Sequence, residues 1–288
     1  MRRTPLVMLK KFDITLTTSW EAHHGISGHL FEMIEYFHHL TYHKNLNVCI
    51  LIADGLSRES FDIALEKYDF TEVELANIRS KTYFEYQPRT VIAKTFFVVN
   101  GSFRFCGAEI LADKIVMFRC NDIDGIENAD ILLQDYDIYE PTVNSIHYKK
   151  KILFSRFKKI VPKKPNIGMF YGTKNSRKMS YEQIDSIMKQ TNFDSYLLLT
   201  DHKMDVPENC EVRMVPIKDL WDSFDTYLYT NTSVLVDCSP RFVAECAYYG
   251  KGLEFFSDKI DLGLQTRLND IKSGCIELKE TDELCSKI

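Results

Sequence analysis

Residues 167–178 read Ile167-Gly168-Met169-Phe170-Tyr171-Gly172-Thr173-Lys174-Asn175-Ser176-Arg177-Lys178, and a helical pattern follows over Tyr181–Gln190. A short apolar run closed by glycine, a polar loop and then a helix is the signature of a strand–loop–helix unit. Working outward from it, Tyr196–Thr200 and Val212–Pro216 read as strands. Lys218–Phe224 reads as one or two helical turns, and Ser233–Asp237 as another strand. Pro240 then suits a first helical turn, and the helix Arg241–Tyr249 meets a stop signal at Gly250 before a last strand, Leu253–Phe256.

Upstream, the same style recurs. Leu6–Phe12 and Asn47–Ala53 read as strands, with the amphipathic helix Gly28–His43 between them. Ser57–Lys67 and Thr71–Lys81 read as helices, and Thr95–Asn100, Lys114–Cys120 and Ile131–Gln134 as strands. Strands alternating with helices imply parallel sheets covered on both faces. The Pro162-Lys163-Lys164-Pro165 segment reads as an interdomain linker. The expected fold class is α/β, with two Rossmann-like domains, 1–162 and 163–288, facing across a cleft. Ligands of such sheets lie at the carboxyl ends of the strands.

Composition bounds the function. The 288 residues are 45% hydrophobic and 27% charged, which is globular composition, and carry a net charge of -5 that excludes a uniformly basic nucleic-acid coat. None of the 8 cysteines forms a C-x-x-C pair or a zinc-type spacing, so free thiols in a reducing cytoplasm are expected. No stretch approaches the roughly 18 apolar residues of a membrane span. The expectation is a soluble monomer without a membrane partner.

Five features carry chemistry. In the quoted loop, Gly172, Thr173, Lys174 and Arg177 combine helix-start N–H groups with cations, a diphosphate site, although the Walker spacing is absent and a plain surface turn has the same composition. Arg241 and Glu245 lie one helical turn apart; the carboxylate suits ribose hydroxyls and the guanidinium a phosphate, while an ordinary ion pair explains the spacing equally. Asn121-Asp122-Ile123-Asp124 follows an expected strand, placing Asp122 as a general base or the pair as a divalent-ion site, against a simple loop cap. From His147 to Lys164 there are eight Lys or Arg residues and no acid, with Tyr148, Phe154 and Phe157 interleaved. That run reads as a phosphate-backbone grip or as the solvated face of a linker helix. Six of the 8 histidines fall between His23 and His43, and His39 and His43 lack the Glu of a zinc helix, so no metal site is assigned.

Three segments carry a family resemblance. Phe97-Val98-Val99-Asn100-Gly101-Ser102-Phe103-Arg104-Phe105, Lys114 to Ile123, and Phe170-Tyr171-Gly172 through Arg177-Lys178-Met179 resemble the DNA glycosyltransferases of T-even-like bacteriophages, GT-B enzymes of the β-glucosyltransferase type. The resemblance implies transfer of a sugar from a UDP-sugar, UDP-glucose or UDP-arabinose, to the hydroxyl of 5-hydroxymethylcytosine in double-stranded DNA, with Mg2+ or Mn2+ assisting diphosphate departure. Asp122 is then the base of an inverting reaction. Gly172, Thr173, Lys174, Arg177, Ile217, Arg241, Glu245, Ser27 and Gly28 hold the nucleotide-sugar. Arg104, Lys149, Lys150, Lys151, Arg156 and Lys158 touch the DNA. The chain departs from the family pattern at two places: Lys174 stands where the family loop offers a second Arg, and Arg241-x-x-x-Glu245 replaces Arg-x-x-Glu. A glycan or small-molecule acceptor, and a non-catalytic nucleotide- or nucleic-acid-binding protein, remain the alternatives.

Overall fold

A computed structural model describes residues 10–18, 28–52, 57–84, 90–100, 109–119, 126–134, 142–148, 152–172, 179–214, 219–230 and 241–256. The chain divides into two compact units at Lys158–Lys159.

The first unit is built on a seven-stranded sheet. Its elements run β1 (Lys10–Thr18), α1 (Gly28–Tyr42), β2 (Val48–Ile52), α2 (Arg58–Leu65), α3 (Glu72–Ser80), β3 (Thr82–Phe84), β4 (Thr90–Asn100), β5 (Glu109–Arg119), β6 (Ile131–Gln134) and β7 (Ser145–His147). The strand order is β3-β2-β1-β4-β5-β6-β7, and every adjacent pair is parallel. The chain therefore builds outward from β1 in one direction, then returns to build from β4 in the other. The carboxyl ends of β1 and β4 flank the point where the winding reverses.

β1 begins at Lys10 and runs to Thr18, later than the expected Leu6–Phe12; residues 1–9 lie outside the described set. Its threonines misled the hydrophobic reading. Thr15 and Thr17 are buried, yet the Thr17 hydroxyl donates to the Leu51 carbonyl (2.9 Å) and the Thr15 hydroxyl pairs with the Cys49 thiol (3.3 Å). A β-branched polar residue whose hydroxyl finds a partner is as acceptable in a central strand as valine. β4 and β5 also start several residues ahead of the expected Thr95 and Lys114. The long helix α1 came out close to its expected bounds but is not amphipathic. It is buried on nearly every face, including Glu32, Glu35, His38 and His39.

The second unit has a five-stranded sheet ordered β10-β9-β8-β11-β12, again parallel throughout. Its elements are β8 (Ile167–Tyr171), α4 (Tyr181–Met188), β9 (Ser195–Thr200), β10 (Cys210–Met214), β11 (Thr226–Tyr229), α5 (Arg241–Tyr248) and β12 (Gly252–Phe255). Ser180 and Gln183 form a capping box that fixes the start of α4. Gly250, at φ +66°, ends α5 in the left-handed conformation that glycine tolerates best. β11 was not expected: the apolar run Ser233–Asp237 drew the strand assignment, and it lies outside the described residues. Thr226-Tyr227-Leu228-Tyr229 is a wholly buried β-branched and aromatic tetrad, which suits a central strand.

Here too the winding reverses, between β8 and β11. A close packing contact fixes their neighbourhood. A Cβ on Gly168 would stand 2.8 Å from Phe193 Cδ2 and 3.0 Å from Leu228 Cδ1, so only glycine fits beneath these side chains.

Candidate functional site

In a parallel sheet the natural ligand position is the carboxyl edge at the winding reversal. In the second unit that place is bounded by the end of β8 and the start of α5. The Gly172 N–H donates to the Leu199 carbonyl (2.9 Å), which pins the exit from β8. Met179 is buried, and its sulfur accepts from the Thr230 hydroxyl (3.6 Å) just past β11. Gly172 and Met179 are thus both held at the reversal.

α5 crosses between β11 and β12, so its first turn lies at the same edge. The contact between the Tyr171 and Phe242 rings, with centroids 6.1 Å apart, joins the end of β8 to that first turn. Phe242 also stacks on Trp221 at 5.6 Å and meets Tyr227 edge-on at 5.0 Å. This aromatic packing sets the position of α5, and with it the two groups of interest. Arg241 Nε donates to Glu245 Oε1 at 2.6 Å, and their side chains are only 8% and 5% exposed. Burying an ion pair is expensive and seldom stabilises more than a well-packed apolar pair. The pair occupies the start of a helix at a winding reversal. Burial first, and then the Glu245 carboxylate, push the Tyr249 phenol above its usual range, so it stays protonated at neutral pH.

In the first unit, Gly28 opens α1 beside the β1–β4 reversal. Asp122, Ser27, Arg104, Ile217, Lys149, Lys150 and Lys151 lie outside the described residues, as do Thr173, Lys174 and Arg177.

The basic run is not a linker helix. Phe154–Arg156 form a single 3-10 turn. Tyr148, Phe154 and Phe157 are buried in the first unit's core, so these aromatics pack inward. The Arg156 guanidinium donates to Glu74 at 2.5 Å and lies 5.4 Å from the Phe70 ring centroid. Glu74 is held in turn by the Thr71 backbone N–H (2.7 Å) and by His38 Nε2 (2.7 Å). Despite burial, which opposes it, the sum of hydrogen bonds from Thr71 and His38 and the Arg156 charge brings the Glu74 carboxyl down to about 2. Burial outweighs the Glu74 contact at His38 and lowers its imidazole below the ordinary range, so His38 is neutral at pH 7. Arg156 thus fastens the chain to α1 and α3. Lys158, Lys159, Lys163 and Lys164 are exposed.

No known protein family matches the sequence, and no curated protein matches it. Solved structures to which the chain is similar at low identity include the following three. The apo form of lipopolysaccharide outer core galactosyltransferase WaaB is 11% identical over 97% of this chain and 94% of its own, with a TM-score of 0.43. MurG of Acinetobacter baumannii is 13% identical over 91% and 83%, with a TM-score of 0.36. An α-glucosyltransferase in complex with UDP and a 13-mer DNA containing a HMU base is 10% identical over 96% and 92%, with a TM-score of 0.48.

Sequence reasoning paired Arg241 with Glu245 because helical spacing is local. It missed the support of that pair by Tyr171, Trp221 and Phe242, and the capture of Arg156 by Glu74. The last two stand 82 positions apart, and no local pattern links them. A helix over Thr71–Lys81 was expected, but that pattern gave no sign that Glu74, which caps it with Thr71, would also take an arginine.

Proposed function

We propose that this chain is a GT-B-type glycosyltransferase. In this reading it moves a sugar from a UDP-sugar to the hydroxyl of 5-hydroxymethylcytosine in double-stranded DNA. The observation that carries the transferase reading is the buried Arg241–Glu245 pair beside the β8–β11 reversal. DNA as acceptor rests on the resemblance to the phage enzymes.

Glu245 takes the ribose hydroxyls, and Arg241 shares the diphosphate with Lys174 and Arg177. Negative charge grows on the departing UDP in the transition state, so these cations stabilise that state more than the bound donor. By resemblance, Gly172, Thr173, Ile217, Ser27 and Gly28 complete the nucleotide-sugar set. Asp122 takes the hydroxyl proton by resemblance. The target base leaves the helical stack, because its hydroxymethyl group must reach the anomeric carbon. Arg104, Lys149, Lys150, Lys151 and Lys158 hold the phosphates. Arg156, committed to Glu74, orders the segment that displays Lys158. Among the described residues no group of three His, Cys, Asp or Glu could hold a metal ion; Mg2+ or Mn2+ assisting diphosphate departure comes from the resemblance alone.

A glycan or small-molecule acceptor is the second reading. It is favoured by the net charge of -5 and by the inward packing of Tyr148, Phe154 and Phe157. No described helix is long and apolar enough to cross a membrane.

The test is a transfer assay with hydroxymethylated duplex DNA and a panel of UDP-sugars, digested to nucleosides and weighed by mass spectrometry. A hexose or pentose mass shift is expected. UDP binding without any shift refutes DNA as acceptor.

A further inference from the structure

The carboxyl edge of the second sheet has a third contributor besides β8 and α5. All five strands are parallel, so β9 ends on the same edge as β8, its direct neighbour at about 4.8 Å. The Gly172 N–H bonds the Leu199 carbonyl, so the first residues past β9 stand beside the exit from β8. Those residues are Asp201 and His202, and they form a tight set with the last residue of the strand. His202 Nδ1 lies 2.8 Å from Asp201 Oδ1 and 3.0 Å from Thr200 Oγ1. Thr200 is fully buried, and its hydroxyl also accepts from the His202 backbone N–H at 3.4 Å. One side of the imidazole is thus held to a buried strand end, while the side chain as a whole is 30% exposed. These contacts set the chemistry of the other nitrogen. An ionised carboxylate can only accept, so the ring carries its N–H on Nδ1. In the neutral imidazole Nε2 is then a lone-pair acceptor. It has no partner among the described residues.

We infer that His202, its tautomer set by Asp201, reads the base of the donor nucleotide by accepting the uracil N3–H at Nε2. The inference rests on the nucleotide-sugar reading given above and deepens it to the choice of base. In that reading the ribose and diphosphate fall to Glu245, Arg241 and the loop after β8. The base remains to be placed, and β9 flanks β8 on the side away from β11 and α5. Uracil offers an acceptor its N3–H. Cytosine has a lone pair at the same position, so a cytosine there sets acceptor against acceptor and leaves both unpaired. A site built to take a hydrogen bond rejects an analogue in this way. Asp201 and Thr200 are positioning residues: they hold the ring and do not touch the base.

The experiment is titration calorimetry of the full chain with UDP and with CDP, for wild type, H202F, H202Q and D201N. Wild type should bind UDP roughly 10- to 100-fold more tightly than CDP. H202F keeps a ring but offers no acceptor, so it should lose about 10-fold for UDP and little for CDP. The amide of H202Q presents either its oxygen or its NH2, so CDP should bind more tightly than to wild type. That gain is one that a loss of packing cannot produce. In D201N the amide can donate to Nδ1 and move the ring N–H to Nε2, so the preference for UDP should narrow. Equal affinity of wild type for UDP and CDP overturns the inference and leaves the nucleotide site standing. H202Q with wild-type affinity for both, or with equal losses for both, overturns it too, and does so even where H202F fails to fold. A wild type that binds neither nucleotide overturns the nucleotide-sugar reading together with this one, before any variant is made.

Discussion

Glu245→Gln replaces one carboxylate oxygen with an amide and leaves the shape of the α5 first turn unchanged, but it strips the counter-charge from Arg241. Both side chains are more than nine-tenths buried, and their hydrogen bond is 2.6 Å long. Removing one partner of such a buried pair costs about 3 kcal/mol. For a unit of this size, that lowers the melting temperature by roughly 10 °C. Calorimetry is the right assay, since two compact units need not melt together. The endotherm of the second unit should shift and that of the first should not. The double variant R241M/E245L should recover most of the loss, because two apolar groups of similar volume fill the site without charge. The same substitution tests function. Loss of a charged hydrogen bond to ribose removes about 1.5–3 kcal/mol, so UDP should bind roughly 10- to 100-fold more weakly by titration calorimetry. The double variant, stable again, should still bind poorly. An E245Q protein that melts and binds UDP like wild type refutes both the energetic argument and the assignment of this pair to the nucleotide.

Three further outcomes follow from the packing. Gly168→Ala forces a methyl against Phe193, Leu228 and Tyr196 and should destabilise the second unit by about 1–3 kcal/mol, read as a lower melting temperature. Lys251 donates to the Lys163 and Phe224 carbonyls, both at 2.6 Å, so Lys251→Met should free the 158–164 segment and speed tryptic cleavage there; an unchanged digestion rate counts against the clasp. Glu74 titrates near 2 in the fold against an ordinary 4.5, so its stabilisation is full above pH 4.5 and is lost as the pH falls toward 2. A plot of melting temperature against pH should therefore drop less steeply in Glu74→Gln than in wild type across that window.

Much of the architecture was legible because its signals are local. The helical pattern over Tyr181–Gln190 announced α4, Gly250 closed α5, and the apolar run around Val48–Ile52 announced a buried strand. The failures have physical causes. β1 hides its polar residues by pairing their hydroxyls across to β2. The edge strands β3 and β7 are three residues long and take their conformation from their neighbours. At the site, the i,i+4 pair Arg241 and Glu245 could be read in advance. The meeting of His38, Glu74 and Arg156 could not, because tertiary packing brings three distant segments together.

The winding order also constrains how the protein is made. β1 is a central strand, yet one of its two neighbours, β4, begins only at Thr90. A nascent chain that has emerged as far as Phe84 can assemble β3, β2 and β1 with the helices between them, but one edge of β1 stays unpaired. An open edge of that kind invites pairing with other chains. The second unit repeats the delay on a shorter scale, since β8 waits for β11 at Thr226. Slow translation across residues 85–100 would prolong the exposed intermediate, so chaperone dependence during synthesis should centre on that stretch.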